Sequence, residues 1–353
     1  MGLPGISIIF TKKAASAVKN GSVGVMGLLF KDEKATSGVE YYSIKDVTDI
    51  PAALNDANKK YLEDALLGTP SEIKAVVVAS DAVDYVEGLN YMETLSFNVF
   101  AIPGILAGNV MTIASWVKSQ RASGKRFLAV LPDCEADSEG VVNLATSDII
   151  VGETTYTASQ YTARVAGLIA GLPLTVAPTY QVFNEVDDVP HLTKDAADAA
   201  VNDGKLILIH DGEKVKIARG VTSMTTVTEA NPAEYMKIKL VRIYDKIATD
   251  IQKTIEDLYI GKVQNSYQNK LLLVSAINAY LESLEQSNVL DAGKNNAEID
   301  MTAQRTFLKG QGVSVDEMTE QEIKEANTGS TVFIKLNIKA LDAIEDVAIT
   351  IVL

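Results

Sequence analysis

Between about residues 20 and 135, short apolar runs of strand length alternate with stretches whose apolar residues recur at helical spacing, and this alternation constrains the fold more than any other feature of the chain. Val23–Phe30 reads as a strand, and Asn58–Leu67 as a helix with Tyr61, Leu62, Ala65 and Leu66 on one face and Gly68 as a stop. Ile73–Ala79 is a second strand, and Asp81–Leu95 a helix carrying Val83, Val86, Leu89 and Met92. Phe97–Ile102 follows as a strand, then a helix over Val110, Ile113, Trp116 and Val117, then the strand Arg126–Leu131, closed by Pro132. Apolar strands separated by helices bury both faces of a sheet that is at least partly parallel, so the expected class is α/β.

Further along, Val141–Leu144 and Asp148–Val151 read as short strands and Ser159–Ala170 as a helix around Tyr161, Val165 and Leu168. In Leu206–Ile217, Asp211-Gly212 between two β-rich runs marks a hairpin, because a tight turn there needs positive φ. After Pro232 the pattern changes to long helices, one with a stripe of Ile243, Ile247, Ile251, Ile255 and Leu258, another with Leu271, Val274, Ile277, Leu281 and Leu284. The charged residues along 242–262, including Arg242, Asp245, Lys246, Asp250, Lys253, Glu256 and Asp257, fall mostly off the isoleucine stripe and read as a solvated or interface face. Thr319 and Glu322 fit a capping box. A domain boundary is expected near residue 230.

The 353 residues allow two or three domains. With 32 Lys and Arg against 46 Asp and Glu, the net charge of −14 disfavours a phosphate backbone as partner. One cysteine, Cys134, excludes an internal disulfide, and two histidines leave no Cys/His zinc spacing. No apolar run approaches the roughly 18 residues of a membrane helix, so direct membrane insertion is not expected. The start, Met1-Gly-Leu-Pro-Gly, has neither the basic flank nor the apolar core of a signal peptide, which makes synthesis in the cytoplasm the expectation.

The catalytic candidates are weak. Gly220-Val-Thr-Ser-Met-Thr225 echoes the nucleophile turn of subtilisin-like proteases, but Val221 is inserted and Thr225 stands where a small residue belongs. His191 and His210 lack the sequence setting of a triad base for Ser223. Gly21, Gly24 and Gly27 do not make a dinucleotide fingerprint, and no Walker-type motif occurs. Asp187 and Asp188, or Asp342, Glu345 and Asp346, are short acidic clusters that read as solvated loop charge. No catalytic residue, metal site or cofactor is expected.

The two ends are more informative. Thr331–Lys339 alternates, with Val332, Ile334, Leu336 and Ile338 on one face, and Val347, Ile349, Ile351 and Leu353 alternate again after Ala340–Asp346. No Gly, Pro or Asn between these runs encodes a tight hairpin. Ile6, Ile8 and Phe10 form a similar strand-like run at the start. Periodicity leaves two readings open: edge strands of the chain's own domains, or β-augmentation of neighbouring copies. The 13 residues from Leu341 can reach about 40 Å when extended.

Taken in order, several segments resemble the contractile tail sheath proteins of bacteriophages, in the short form of prophages and phage-tail-like bacteriocins. They are Tyr161-Thr-Ala-Arg-Val-Ala-Gly-Leu-Ile-Ala-Gly171, Ile217-Ala-Arg-Gly-Val-Thr-Ser-Met224, Ile255–Tyr267, the stretch from Glu325 to Phe333, and Leu341–Asp346. The resemblance implies a subtilisin-like α/β domain plus an α+β C-terminal domain with exchanged N- and C-terminal β-arms. It divides the chain into an arm over 1–19, an α/β body over 20–230, a polymerisation domain over 231–340 and an arm over 341–353. The donor arms would be Ile6, Ile8 and Phe10, and Val347, Ile349, Ile351 and Leu353. The recipient edge would lie in the 205–219 hairpin (Leu206, Leu208, Val215, Ile217) or in the 331–339 strand (Val332, Ile334, Leu336, Ile338). Implied partners are further copies of the chain, an inner tail tube protein, and baseplate and tail terminator proteins, in a particle assembled in a bacterial host. An α/β hydrolase and another self-assembling shell protein are the alternatives; a hydrolase assay and particle shape by electron microscopy separate them.

Overall fold

The computed structural model describes residues 18, 23–35 and 38–352. Among the described residues, those of Gly21–Thr249 and Leu341–Leu353 form one compact unit, and those of Met1–Asn20 and Asp250–Ala340 form the other.

In the larger unit the chain runs β1 (Val25–Asp32), β2 (Val39–Ile44), α1 (Asp56–Leu66), β3 (Glu72–Ala79), α2 (Val86–Glu93), β4 (Val99–Ala101), α3 (Ala107–Ala122), β5 (Leu128–Pro132), β6 (Val141–Leu144), β7 (Ile149–Val151), β8 (Thr154–Tyr156), α4 (Ala158–Gly171), α5 (Lys194–Asn202), β9 (Lys205–Leu206), β10 (Leu208–His210) and β11 (Val215–Ile217). Seven strands make one sheet in the order β2-β3-β1-β4-β5-β6-β9. All its pairings are parallel except that of β2 with β3. The period-two alternation builds both layers: Met26, Leu28 and Phe30 of β1 join a core with α1 and α4, while Val25 and Leu29 join one with α2 and α3.

The segment Tyr161–Gly171 acts through packing. A Cβ on Gly167 would stand 2.2 Å from the carbonyl oxygen of Ala65, and one on Gly171 would stand 1.9 Å from that of Gly68. Backbone therefore meets backbone where α4 crosses the end of α1, a contact that only glycine permits.

The α6 helix (Ile238–Leu258) carries the isoleucine stripe, with Ile243, Ile247 and Ile251 buried. Of the two readings of its charged face, solvated or interface, the second holds at Arg242, Asp245 and Asp250, which are buried too. The Arg121 guanidinium of α3 binds Asp245 through two nitrogens at 2.7 and 2.8 Å, Glu139 at 2.8 Å and the Phe127 carbonyl at 2.8 Å. Burial works against the Arg121 charge, but Asp245 and Glu139 outweigh it and hold its pKa above the usual arginine range. Arg242 donates to the Leu172 carbonyl at 2.6 Å, so a cation sits at the C-terminal end of α4, where the helix dipole favours it. Asp250 accepts from the Tyr280 hydroxyl at 2.7 Å. A polar residue off an apolar stripe is thus no guarantee of solvent when a second element packs there.

The smaller unit contains α7 (Tyr267–Gln286), β12 (Asn296–Ile299), α8 (Met301–Gly310), α9 (Glu320–Glu325) and β13 (Ile334–Asn337). The capping box expected at Thr319 and Glu322 is formed and opens α9. Antiparallel β12 and β13 pair Ala297 with Leu336 and Ile299 with Ile334. Among the described residues, no helix is long and apolar enough to cross a membrane.

One local expectation fails, and a second is met with a longer loop. The helix expected from Asp81 begins only at Val86, after a turn in which Asp84 accepts from the Val86 amide, so Val83 is 96% exposed. The Asp211-Gly212 hairpin is present, but its loop is Asp211–Lys214, with positive φ at Gly212 alone. Asp211 Oδ1 accepts from the Glu213 and Lys214 amides, and this side-chain turn closes the loop.

Candidate assembly surface

Charge holds the root of the C-terminal extension onto the larger unit. Arg219 Nη2 donates to both Asp346 oxygens at 2.6 Å, and Lys237 pairs with Asp342 and, at 3.0 Å, with Glu345. Thr179 Oγ1 donates to Glu345 while accepting the Gly220 amide at 2.9 Å, so the hydroxyl is fixed from both sides. The hydrogen bond to Asp346 holds the Arg219 pKa up, and the same contact holds the Asp346 carboxyl below the usual carboxylate range. Past Asp346 the chain has no regular structure through Val352, and Val347, Ile349 and Ile351 are 71%, 79% and 78% exposed. A clamped acidic root thus presents an alternating apolar tail to solvent, which is the composition of a strand without a partner.

Among the described residues, the small sheet of the other unit has one closed edge and one open one. The Asn278 amide of α7 accepts from the Ala297 N–H at 2.6 Å and donates to the Ala297 carbonyl at 3.1 Å, which closes β12 on the side away from β13. Because strand residues alternate in direction, Asn296 and Glu298 then face β13. Asp300, next in that alternation, donates to the Phe333 carbonyl at 3.0 Å. The residues of β13 facing β12 are therefore Phe333, Lys335 and Asn337, and the backbone groups of Ile334, Leu336 and Ile338 point away from it. Among the described residues these outward groups have no hydrogen-bond partner.

Of the recipient residues expected in the hairpin, Leu206 lies in β9 at an edge of the large sheet, while Leu208, Val215 and Ile217 are buried in β10 and β11. The free side of β11 is taken: Phe183 donates to the Val215 carbonyl at 2.9 Å and Ile217 to that of Gln181 at 3.0 Å. In the other candidate, Val332 precedes β13, Ile334 and Leu336 lie within it, and Ile338 follows it. Ile6, Ile8, Phe10 and Leu353 lie outside the described residues. Asn278 was invisible to sequence reasoning, since an asparagine on a helix announces nothing about a strand 19 residues later.

The catalytic candidates find structural employment. Buried Ser223 donates its hydroxyl to the Ser138 carbonyl at 3.1 Å and accepts the Ser138 amide at 3.2 Å, fastening one loop to another. His191 and His210 stack on one another, their ring centroids 5.4 Å apart, and each has a local partner, Asp188 and the Gly212 amide respectively. Cys134 is buried, and burial pushes its thiol up to about 11. Asp187 accepts the Gly152 amide at 2.6 Å and Asp188 the Val189 amide at 2.9 Å, both as loop contacts. Among the described residues no three His, Cys, Asp or Glu side chains come together in a metal-holding group.

Known proteins match this architecture throughout. The profile of the phage tail sheath protein central domain matches residues 79–223, and that of the phage tail sheath C-terminal domain matches residues 230–353. The tail sheath protein of Clostridium phage phiCD119 is 35% identical over 358 residues, which cover 99% of each chain. The solved sheath tail protein of Desulfitobacterium hafniense superposes with a TM-score of 0.70 at 17% identity, over 84% of this chain and 94% of its own. The helical sheath of the anti-feeding prophage, solved in its contracted state, gives 0.74 at 15% identity over 100% and 99%. The two structures share the fold, and the phage protein is similar in sequence over nearly the whole length. The chain belongs to the phage tail sheath family, whose members are structural proteins of contractile systems and not enzymes.

Proposed function

We propose that this chain polymerises as stacked rings around an inner tube, linked copy to copy by β-strand exchange, and contracts from a metastable extended state to drive the tube through a target envelope. The observation that carries this reading is that one chain has both an exposed, alternating apolar tail and, among the described residues, an open strand edge on β13. A donor and an acceptor on every copy make a head-to-tail link, and a link that does not close generates a helical array. The extension over 341–353 is the C-terminal donor and the run over 1–19 the N-terminal one. The α/β body over 20–230 is the rotating mass, subtilisin-like in its wiring, and 231–340 is the polymerisation domain. Main-chain pairing keeps the copies tethered while the bodies turn, and added contact between bodies supplies the work without nucleotide. A baseplate that triggers one end, a terminator that holds the other, and a tube protein inside are the partners such a device needs. It is made in the cytoplasm of a bacterial host and works in a tail or tail-like particle.

The test compares the full chain with a version lacking Val347–Leu353, by sedimentation and negative-stain electron microscopy. Tubes from the first and soluble monomers from the second are expected. Equally good tubes from the truncated chain would remove the C-terminal strand from the linkage.

A further inference from the structure

An incoming strand needs a row of free backbone N–H and C=O groups, and among the described residues the β12–β13 sheet offers that row on one side only. On the far side of β12, one asparagine satisfies both polar groups of Ala297, the donor at 2.6 Å and the acceptor at 3.1 Å. Ala297 is itself 4% exposed, so that backbone is enclosed as well as hydrogen-bonded. Displacing Asn278 would cost two hydrogen bonds and leave a half-buried amide to find new partners, whereas adding to β13 breaks none. The outward groups of Ile334, Leu336 and Ile338 recur at every second residue, in step with the alternation of Val347, Ile349 and Ile351.

We propose that Asn278 closes this sheet to strands on the β12 side, so that an arm from another copy adds only to β13 and a second arm adds to the first. The four-stranded order is then β12, β13, arm, arm, and the two donors are held by each other as well as by the recipient. This rests on the strand-exchange reading above, and it makes the sheet's order a consequence of one helix side chain. Two arms flanking the pair, one on each side, would instead share no contact.

Cysteine pairs in assembled tubes test it, with native Cys134 buried and out of reach. A disulfide needs Cα atoms within about 7 Å, whereas strands one apart lie about 4.8 Å from each other and strands two apart about twice that. In one set Leu336→Cys, and in another Ala297→Cys, is combined with a cysteine scanned along 6–10 or 347–351, and in a third a cysteine in 6–10 is combined with one in 347–351. Leu336→Cys is expected to link to one arm, Ala297→Cys to neither, and the two arms to each other. A link from Ala297→Cys to either arm overturns the proposal while leaving strand exchange intact. The lack of an arm–arm link overturns the stacked order. Tubes that give no link to Leu336→Cys or Ala297→Cys count against strand exchange itself.

Hydrogen exchange on the unmodified protein is independent of these variants. On assembly the Ile334, Leu336 and Ile338 amides are expected to slow at least tenfold, with Ala297 unchanged; slowing confined to the β12 side refutes the assignment. In Asn278→Leu the β12 edge is released, and links from Ala297→Cys to an arm are expected to appear. If that variant folds and assembles without them, Asn278 is not the closing group.

Discussion

Replacing Gly167 by alanine adds one methyl group and, in an isolated helix, would stabilise it by about 1 kcal/mol. Here the new Cβ would lie 2.2 Å from the Ala65 carbonyl oxygen and 2.8 Å from its carbonyl carbon. Ordinary contact needs about 1 Å more, and because the obstacle is backbone, α1 as a whole must shift. A gap of that size forfeits about a quarter to a half of the dispersion energy across the contact. Leu62, Ala65, Val165 and Leu168 are all buried around it. The overpacking cost of about 3–4 kcal/mol, less the propensity gain, leaves a net loss of about 2–3 kcal/mol. For a unit of this size the melting temperature falls by about 5–10 °C. Gly108→Ala in α3 is the control, since its added methyl meets nothing within 4 Å. It should be neutral or stabilising by up to about 1 kcal/mol. Thermal unfolding of the truncated, unassembled chain measures both. If Gly167→Ala melts at or above the parent temperature, α1 and α4 do not meet backbone to backbone and the packing argument fails.

Two further outcomes are expected. The Cys134 thiol, raised to about 11 and enclosed, should ionise in only about one molecule in a thousand at pH 8 and react with a thiol reagent only after denaturant is added; prompt stoichiometric labelling of the folded chain would contradict its burial. The charged clamp at the extension's root should open in acid: because the Asp346 pKa is lowered by Arg219, its contribution is complete above the ordinary aspartate range and is lost as pH falls through the depressed value. Faster amide exchange over 342–346 in Arg219→Ala at neutral pH, with little change in melting temperature, is the expected signature; an unaltered exchange rate would mean the clamp does not hold the root.

Much of the larger unit was legible because its strands are buried on both faces and its helices on one. Val76, Val77 and Val78 can be read as a strand with no knowledge of their neighbours, and the period of Val110, Ile113 and Val117 identifies α3 equally well. The α5 helix escaped because none of its residues is buried and there is no apolar stripe to read, although Thr193 caps it in the expected way. The β2 strand escaped for a related reason: as an antiparallel edge it is half exposed, and Tyr41, Tyr42 and Glu40 give a weak alternation. Pro132, which marks the end of a strand run in the sequence, is the last residue of β5, where Asp133 supplies the next hydrogen bond to Leu144. The tail at Val347–Ile351 was conspicuous in sequence, but its clamp was not, because Arg219 and Lys237 lie more than 100 residues away from Asp346 and Asp342.

The clamp also sets how strongly each copy offers its tail. Pinned at Asp346, the six residues 347–352 reach about 20 Å when extended. One tail confined to a hemisphere of that radius is present at an effective concentration of about 0.1 M to any edge within it. A free peptide of the same sequence would have to be supplied at that level to compete. Under the proposed strand exchange, neighbours already in position would capture the tail far ahead of any loose copy in solution, and growth at an existing end would be favoured over clumping in the bulk.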